Sequence, residues 1–93
     1  MKYLILMKIK DPYKENQEKA IEIEKERREK GEAFDPSEKL VFPTHMFLTK
    51  PGMFCVVDAD ESDISKWVAA YTPVAKFEIT PLIERSKWEE LNT

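Results

Sequence analysis

One histidine and one glutamate are the residues of this chain best suited to acid–base chemistry. His45, the only histidine, lies in the apolar stretch FPTHMFLTKPG, and Glu78 lies in the alternating stretch AKFEITPL. An imidazole exchanges protons near neutral pH and can also ligate a metal. A carboxylate close to an imidazole makes it a stronger base and suits general base catalysis. We therefore take His45 and Glu78 as the candidate catalytic pair. The alternative is a histidine that fills a strand edge and has no catalytic task.

The polar positions around Glu78 supply candidate ligand contacts. In residues 75–82 two apolar side chains point to one side and the intervening polar side chains to the other, as in a half-buried strand. If helices pack on the apolar side, the polar side lines an interior that could also receive His45. Pro43 leaves the direction of His45 open, because a proline in a strand often marks a bulge. The candidate ligand-binding residues are Lys76, Thr80 and Phe47.

The sequence contains no comparable pattern for binding a metal or a cofactor. One histidine and the single cysteine, Cys55, give no zinc-ligand spacing, and Cys55 lies among apolar residues, as an inert core thiol would. Haem needs only one proximal histidine, but an unliganded His45 is the simpler interpretation. Glycine occurs only twice, so there is no Gly-rich loop for phosphate. We expect no metal and no cofactor.

Length and charge limit the class of protein. The 93 residues form one domain, 1–93, because most domains contain roughly 50–200 residues. The net charge of −3 disfavours non-specific attraction to nucleic acid or to anionic membranes. The apolar run in MKYLILMKIK is too short for a signal-peptide core or a membrane span, and a single cysteine fits a reducing cytoplasm. We expect a cytoplasmic protein with no nucleic-acid or membrane partner. Abundant Glu and Lys with few Asn and Gln hint at a thermophilic source.

Hydrophobic periodicity and turn residues predict the elements that must position these side chains. They are a strand at 3–9, a helix at 13–30, strands at 40–48 and 53–58, a short helix ending at 72, a strand at 75–82 and a tail helix at about 84–92. The stretch GEAFDPSEK, 31–39, is a turn-rich connection. The order β-α-β-β-α-β plus a tail is the ferredoxin-like α+β arrangement, a four-stranded antiparallel sheet with two helices on one face.

Residues typical of helix ends set the limits of two of these helices. Asp11 is predicted as the N-cap of the first helix and Pro12 as its first residue, directly before the run at 13–30. Gly31 follows that helix and is predicted to close it. In the tail, Ser86 and Glu89 have the spacing of a capping box.

The central strands are apolar on both faces, whereas two helices can cover only one face. In the first strand Leu4 and Leu6 alternate with Ile5 and Met7, and residues 53–58 repeat this pattern. A large exposed apolar patch is rare on a soluble monomer, and the tail helix is too short to cover the second face. The economical solution is a second copy packed sheet against sheet about a two-fold axis. We therefore expect a homodimer.

The element order, the doubly apolar strands and the ending AKFEITPLIE resemble the dimeric α+β barrel superfamily. More narrowly, the chain is similar to a family of small uncharacterised proteins within it. These have a strand-two histidine, here His45, and an ending F-E-(V/I)-T-P, here FEITP at 77–81. The first helix is longer than expected there, and Thr44 stands where an aromatic residue often precedes the histidine. The resemblance implies a dimeric barrel. The wider superfamily includes cofactor-free monooxygenases, muconolactone-isomerase-like enzymes, haem-binding members and ligand-sensing domains.

Three functions are compatible with these patterns. The favoured one is a dimeric module that binds a small, mostly apolar molecule in its barrel or has only a structural role, because no assembled catalytic set is visible. The alternative is a cofactor-free monooxygenase- or isomerase-like enzyme with His45 and Glu78 as acid and base. The third is an RNA-binding ferredoxin-like domain, which needs exposed sheet aromatics amid basic charge. Tyr3, Phe47 and Phe54 are aromatic, but the net charge is negative.

Overall fold

The computed structural model describes residues 1–31 and 39–92, so most of the predicted connection at 31–39 lies outside the described residues. The elements are β1 Lys2–Ile9, α1 Tyr13–Glu29, β2 Leu40–Met46, β3 Met53–Asp58, α2 Glu61–Tyr71, β4 Ala75–Leu82 and α3 Arg85–Leu91. The predicted order β-α-β-β-α-β with a tail helix is confirmed. The limits predicted for β3 and β4 agree with those observed.

All four strands form one open antiparallel sheet in the order β2-β3-β1-β4. The two strands that are apolar on both faces, β1 and β3, occupy its centre, as such strands do. Pro43 lies in the edge strand β2, where a missing backbone N–H does least harm. The pairing of β2 with β3 shifts register between Leu40 and Phe42 and again between Phe42 and His45. The result is an α+β architecture consistent with a ferredoxin-like fold.

Both longer helices lie on one face of this sheet and cover the hydrophobic core. Ile5 and Val57 are 1% and 0% exposed. Trp67 of α2 packs edge-on against Phe77, with ring centroids 4.8 Å apart. The buried cluster consists of Tyr3, Ile5, Cys55, Val57, Ile64 and Trp67. The apolar side chains of β4 therefore face the helices, which turns its polar side chains to the opposite face.

The start of α1 differs from the prediction. Pro12, not Asp11, is the N-cap residue, and no side chain caps this end. Pro12 has an extended ψ of 126°, so the helix begins at Tyr13, one residue later than expected, and Asp11 precedes the N-cap position. The backbone N–H of Asn16 donates to the Pro12 carbonyl oxygen at 3.1 Å. At the other end the prediction is confirmed, because Gly31 has φ +67° and its N–H donates to the Arg28 carbonyl oxygen.

The capping box predicted for the tail helix is wrong. The N-cap of α3 is Glu84, no side chain caps this end, and Ser86 lies inside the helix. Glu89 has a different partner, because its carboxylate accepts a hydrogen bond from Nε of Arg85 at 2.9 Å. Every residue of α3 is exposed, including Trp88 at 53%. Within the described parts of the chain, no helix combines the length and apolar character needed for a membrane span.

Candidate functional site

The face of the sheet opposite the helices carries the residues singled out above. Residues that are directly paired across strands point to the same side, and alternate residues of one strand share a side. We call this surface the open face. It presents Lys2, Leu4, Leu6 and Lys8 from β1, Phe54 and Val56 from β3, Lys76, Glu78, Thr80 and Leu82 from β4, and Phe42 and His45 from β2.

The direction of His45 is settled by its pairing. It lies opposite Phe54, and its ring stacks on Phe54 and on Phe42, with centroid separations of 5.7 and 5.0 Å. Because the pairing of β2 with β3 shifts register twice, simple alternation along β2 does not predict the direction of His45, whereas the observed pairing does. His45 therefore points to the open face, the same side as Glu78.

Four stacked rings form what we call the aromatic cluster: Phe42, His45, Phe47 and Phe54. Phe54 lies at its centre, 5.8 Å from Phe42 and 5.6 Å from Phe47. Phe47 lies just beyond the end of β2, which is shorter than the predicted strand at 40–48. Tyr3, the third aromatic residue relevant to RNA binding, is instead buried under the helices. The open face thus has one aromatic edge, along β2 and β3.

His45 and Glu78 lie in one row across the sheet but at opposite ends of it. The row runs His45, Phe54, Leu6, Glu78, one residue from each strand. Strands are spaced by about 4.8 Å, so about 14 Å separates the two Cα atoms. The expected direct pair is therefore not formed within one chain.

The hydrogen bond of His45 identifies its free nitrogen. Nδ1 lies 2.7 Å from the carbonyl oxygen of Pro43. A carbonyl oxygen only accepts, so Nδ1 carries the proton and the neutral ring keeps its lone pair on Nε2. His45 is thus oriented with Nε2 as the nitrogen able to accept a proton.

A groove of about 470 Å³ lies where β1 and β4 meet the turn between β2 and β3, and its lining includes residues of the open face as well as Met7 and Phe77. It brings together three of the five predicted site residues: Phe47, Lys76 and Glu78. His45 and Thr80 are on the same face but outside the lining of this groove. Its size falls within the usual range of small-molecule sites, about 300–1,000 Å³.

Two lysines in the lining were not predicted as site residues. Lys8 pairs directly with Lys76 across β1 and β4, and Lys50 lies with its Nζ 4.6 Å from the centroid of the Phe47 ring. The only sequence signal for Lys8 was a charge that interrupts an apolar strand. Its position beside Lys76 depends on register, which the sequence does not specify.

The match to known families supplies the identification. The model of a family described as a domain of unknown function, DUF3303, matches residues 1–93. The chain belongs to the DUF3303 family. No curated protein matches it. The DUF3303 match and the open four-stranded antiparallel sheet together fit the ferredoxin-like α+β fold expected from the sequence.

Cys55 of this DUF3303 chain lies outside the candidate site, on the helix-covered face. It is 4% exposed. Burial raises the pKa of its thiol, and a hydrogen bond with the Thr44 side chain partly opposes this effect. A buried neutral thiol is a poor nucleophile and a poor metal ligand. Among residues 1–31 and 39–92, no group of three or more His, Cys, Asp and Glu side chains could hold a metal ion.

Proposed function

We propose that the protein is a homodimer whose two open faces enclose a chamber, as in a dimeric α+β barrel, and that this chamber binds a small, mostly apolar molecule. The observation that carries the proposal is the aromatic cluster beside two apolar central strands, on a face that neither α1 nor α2 covers. Leu4, Leu6, Phe54 and Val56 are only half-buried there. Phe42 is 45% exposed. Covering such a surface is favourable by about 25 cal/mol per Å² of apolar area.

A two-fold axis parallel to the strands suits this surface best. It places β4 of one subunit over β2 of the other, so that Lys76 and Glu78 of β4 face the aromatic edge of the partner. An axis across the strands would instead stack β4 on β4 and β2 on β2, which leaves the apolar central strands of each subunit facing the same strands of the other. With the parallel axis, Phe54 lies over the partner's Leu6 at the centre of the contact.

Sedimentation tests the dimer. We expect the wild-type chain to sediment as a dimer at micromolar concentration, and Leu6→Lys to sediment as a folded monomer, because it places a charge at the centre of the contact. The matched control is Ile21→Lys, which adds the same charge on α1 at a residue that is 60% exposed. A wild-type chain that is folded and monomeric at these concentrations would refute the dimer.

A neutral fluorescent probe tests the chamber. N-phenyl-1-naphthylamine becomes emissive in apolar surroundings, and we expect it to bind the dimer with saturable stoichiometry. Phe54→Ala should weaken this binding, because it removes the centre of the aromatic cluster. Trp88→Ala, which removes an exposed aromatic ring of α3, is the control. If the wild-type dimer does not bind the probe, the ligand-binding proposal fails and a structural role is favoured.

The row of residues that contains His45 and Glu78 favours one second candidate, a cofactor-free enzyme of the isomerase or monooxygenase kind. A two-fold axis parallel to the strands places each row of one subunit over the same row of its partner, with the residues in the opposite order. His45 therefore lies over the partner's Glu78, and the catalytic pair is formed between subunits. In this arrangement Nε2 of His45 is the base, the Pro43 carbonyl oxygen orients the ring through Nδ1, and the negative charge of the partner's Glu78 stabilises the protonated form.

A generic proton-abstraction assay tests this candidate without knowledge of the substrate. We expect the dimer to accelerate the ring opening of 5-nitrobenzisoxazole, which needs only a base in an apolar site. Because general base catalysis contributes about 10²–10⁴-fold, His45→Gln should lose at least 10²-fold. Glu78→Gln should lose less, since it acts through His45. An unchanged rate in the dimeric His45→Gln variant would eliminate the acid–base role.

A further inference from the structure

Three lysines converge on one groove of the open face. We call Lys8, Lys50 and Lys76 the lysine cluster. All three line the groove of about 470 Å³. Lys8 and Lys76 are direct cross-strand partners, an arrangement that destabilises a sheet because like charges lie opposite each other.

The lysine cluster forms no ion pair with the other described residues. Some basic groups elsewhere on the protein are paired with a carboxylate, for example Lys2 with Glu84 at 3.2 Å and the N-terminal amine with Asp58 at 3.2 Å. None of the ion pairs formed by the residues in 1–31 and 39–92 involves the lysine cluster. Glu78 is the one acidic residue in the groove lining, which therefore carries a formal excess of two positive charges.

The groove also has an apolar wall. Leu6 and Phe47 line it, and Pro51 borders it at the turn between β2 and β3. An occupant complementary to this lining has an apolar body and a negatively charged end. Neutral apolar molecules would leave the ammonium groups without partners.

Dimer formation makes the need for an anion stronger. This step rests on the proposed function. When the partner's sheet covers the open face, the ammonium groups lose water, and desolvated charges without partners are strongly unfavourable. The same loss of water strengthens attraction to an anion, because the local dielectric constant falls.

We infer that the groove binds the anionic group of an amphipathic organic anion, such as a carboxylate or sulfonate on an aromatic or aliphatic body, with Lys8 and Lys76 as its charged partners. Lys50 closes the rim from the turn. The apolar body lies along Leu6 and Phe47 toward the aromatic cluster. The ligand of the chamber is thus an organic acid in its ionised form.

Two probes with the same ring system test the inference. 8-Anilinonaphthalene-1-sulfonate differs from N-phenyl-1-naphthylamine by one sulfonate. We expect the wild-type dimer to bind the sulfonate at least tenfold more tightly than the neutral probe, with an affinity that falls as salt is added. The double variant Lys8→Gln/Lys76→Gln should lose about tenfold in sulfonate affinity and much less in affinity for the neutral probe, so that the selectivity between the two probes falls.

The control is Lys14→Gln/Lys66→Gln, which removes the same charge from exposed positions on α1 and α2. This control should leave the affinities for the sulfonate and for the neutral probe unchanged. Equal losses of sulfonate affinity in the two double variants would show only a general attraction to positive charge and would overturn the inference. Lys50→Gln, in the exposed turn, gives a second and milder variant if the Lys8/Lys76 pair perturbs folding, with an expected loss of a few-fold in sulfonate affinity only.

The remaining outcomes separate this inference from the proposed function. If the neutral probe binds and the sulfonate binds no more tightly, the apolar chamber stands and the anion site is refuted. If neither probe binds the wild-type dimer, both fail together. Wild-type selectivity that survives Lys8→Gln/Lys76→Gln in a folded dimer also refutes the assignment of these lysines.

Discussion

The two faces of this sheet are built from similar side chains but have different neighbours. On the helix-covered face, Ile5 and Val57 are almost completely removed from solvent. On the open face, the adjacent Leu6 and Val56 are only half-buried. The difference therefore arises from what covers each face, and not from the strands themselves.

This contrast shows which face of the sheet has no second layer within the described residues. Domains are built from packed layers, each covering the apolar face of the next. The helices α1 and α2 supply the second layer on one side. The only further helix, among the described residues, is α3, which is exposed along its whole length and does not serve as a third layer. We propose that a second subunit supplies this cover, which is why function and assembly are linked in our proposal.

The largest effect is expected from truncating adjacent residues on opposite faces. Ile5→Ala should lower the free energy of unfolding by about 2–5 kcal/mol, because it leaves a cavity in the core, and should change the dissociation constant of the dimer little. Leu6→Ala should instead raise that dissociation constant by about 10–100-fold, since a buried leucine side chain contributes about 1.5–3 kcal/mol. Urea unfolding and sedimentation measure the two quantities.

The proposed difference between the two faces is refuted if Ile5→Ala and Leu6→Ala have the same effects. A Leu6→Ala chain that loses as much unfolding free energy as Ile5→Ala, with its dimer unchanged, would mean that the open face is covered within one chain. The Leu4→Ala variant, one row away on the same face, provides a repeat of the measurement.

A smaller effect is expected where the turn between β2 and β3 packs against β1 beside the groove. Gly52 has φ +118°, and a Cβ there would lie 2.9 Å from the Met7 carbonyl oxygen. Gly52→Ala should therefore cost about 1–3 kcal/mol of unfolding free energy. It should also weaken binding of the neutral probe, because the rim of the groove moves.

Gly31→Ala is the matched control for this turn. Gly31 also has a positive φ, +67°, but a Cβ there would meet no atom within 4 Å. It should cost about 1 kcal/mol for the left-handed backbone alone and leave probe binding unchanged. Equal losses in the two variants would show that the turn does not pack closely on β1.

Most of the fold could be predicted because local patterns determine it. Alternation at 75–82 and the doubly apolar run at 53–58 gave two strands with the observed limits, and Gly31 ended α1 as expected. Helix starts were less predictable, since Asp11 and Ser86 have the right side chains for capping but the observed N-cap residues are Pro12 and Glu84. Side-chain type alone does not specify that choice.

The candidate site was only partly predictable because it depends on strand order. The sequence identified Lys76 and Glu78 as facing away from the helices, which follows from alternation. It did not reveal that two strands lie between His45 and Glu78, or that Lys8 lies beside Lys76. These relations arise from the pairing of residues distant in sequence, and the bulged pairing of β2 further hides the direction of His45.

The smallest effect tests the helix-covered face through Cys55. Burial raises the pKa of this thiol in the folded chain above its ordinary value of 9.0. The folded state therefore favours the neutral thiol, so this contribution to stability is complete below pH 9 and is lost as pH rises toward the folded pKa. Between those two pKa values the loss of unfolding free energy approaches about 1.4 kcal/mol per pH unit.

We expect the unfolding free energy of the wild type to fall more steeply above pH 9 than that of Cys55→Ala, in which the other titrating groups are unchanged. Identical slopes in the two proteins would show that Cys55 is as accessible to water as the residues of the open face.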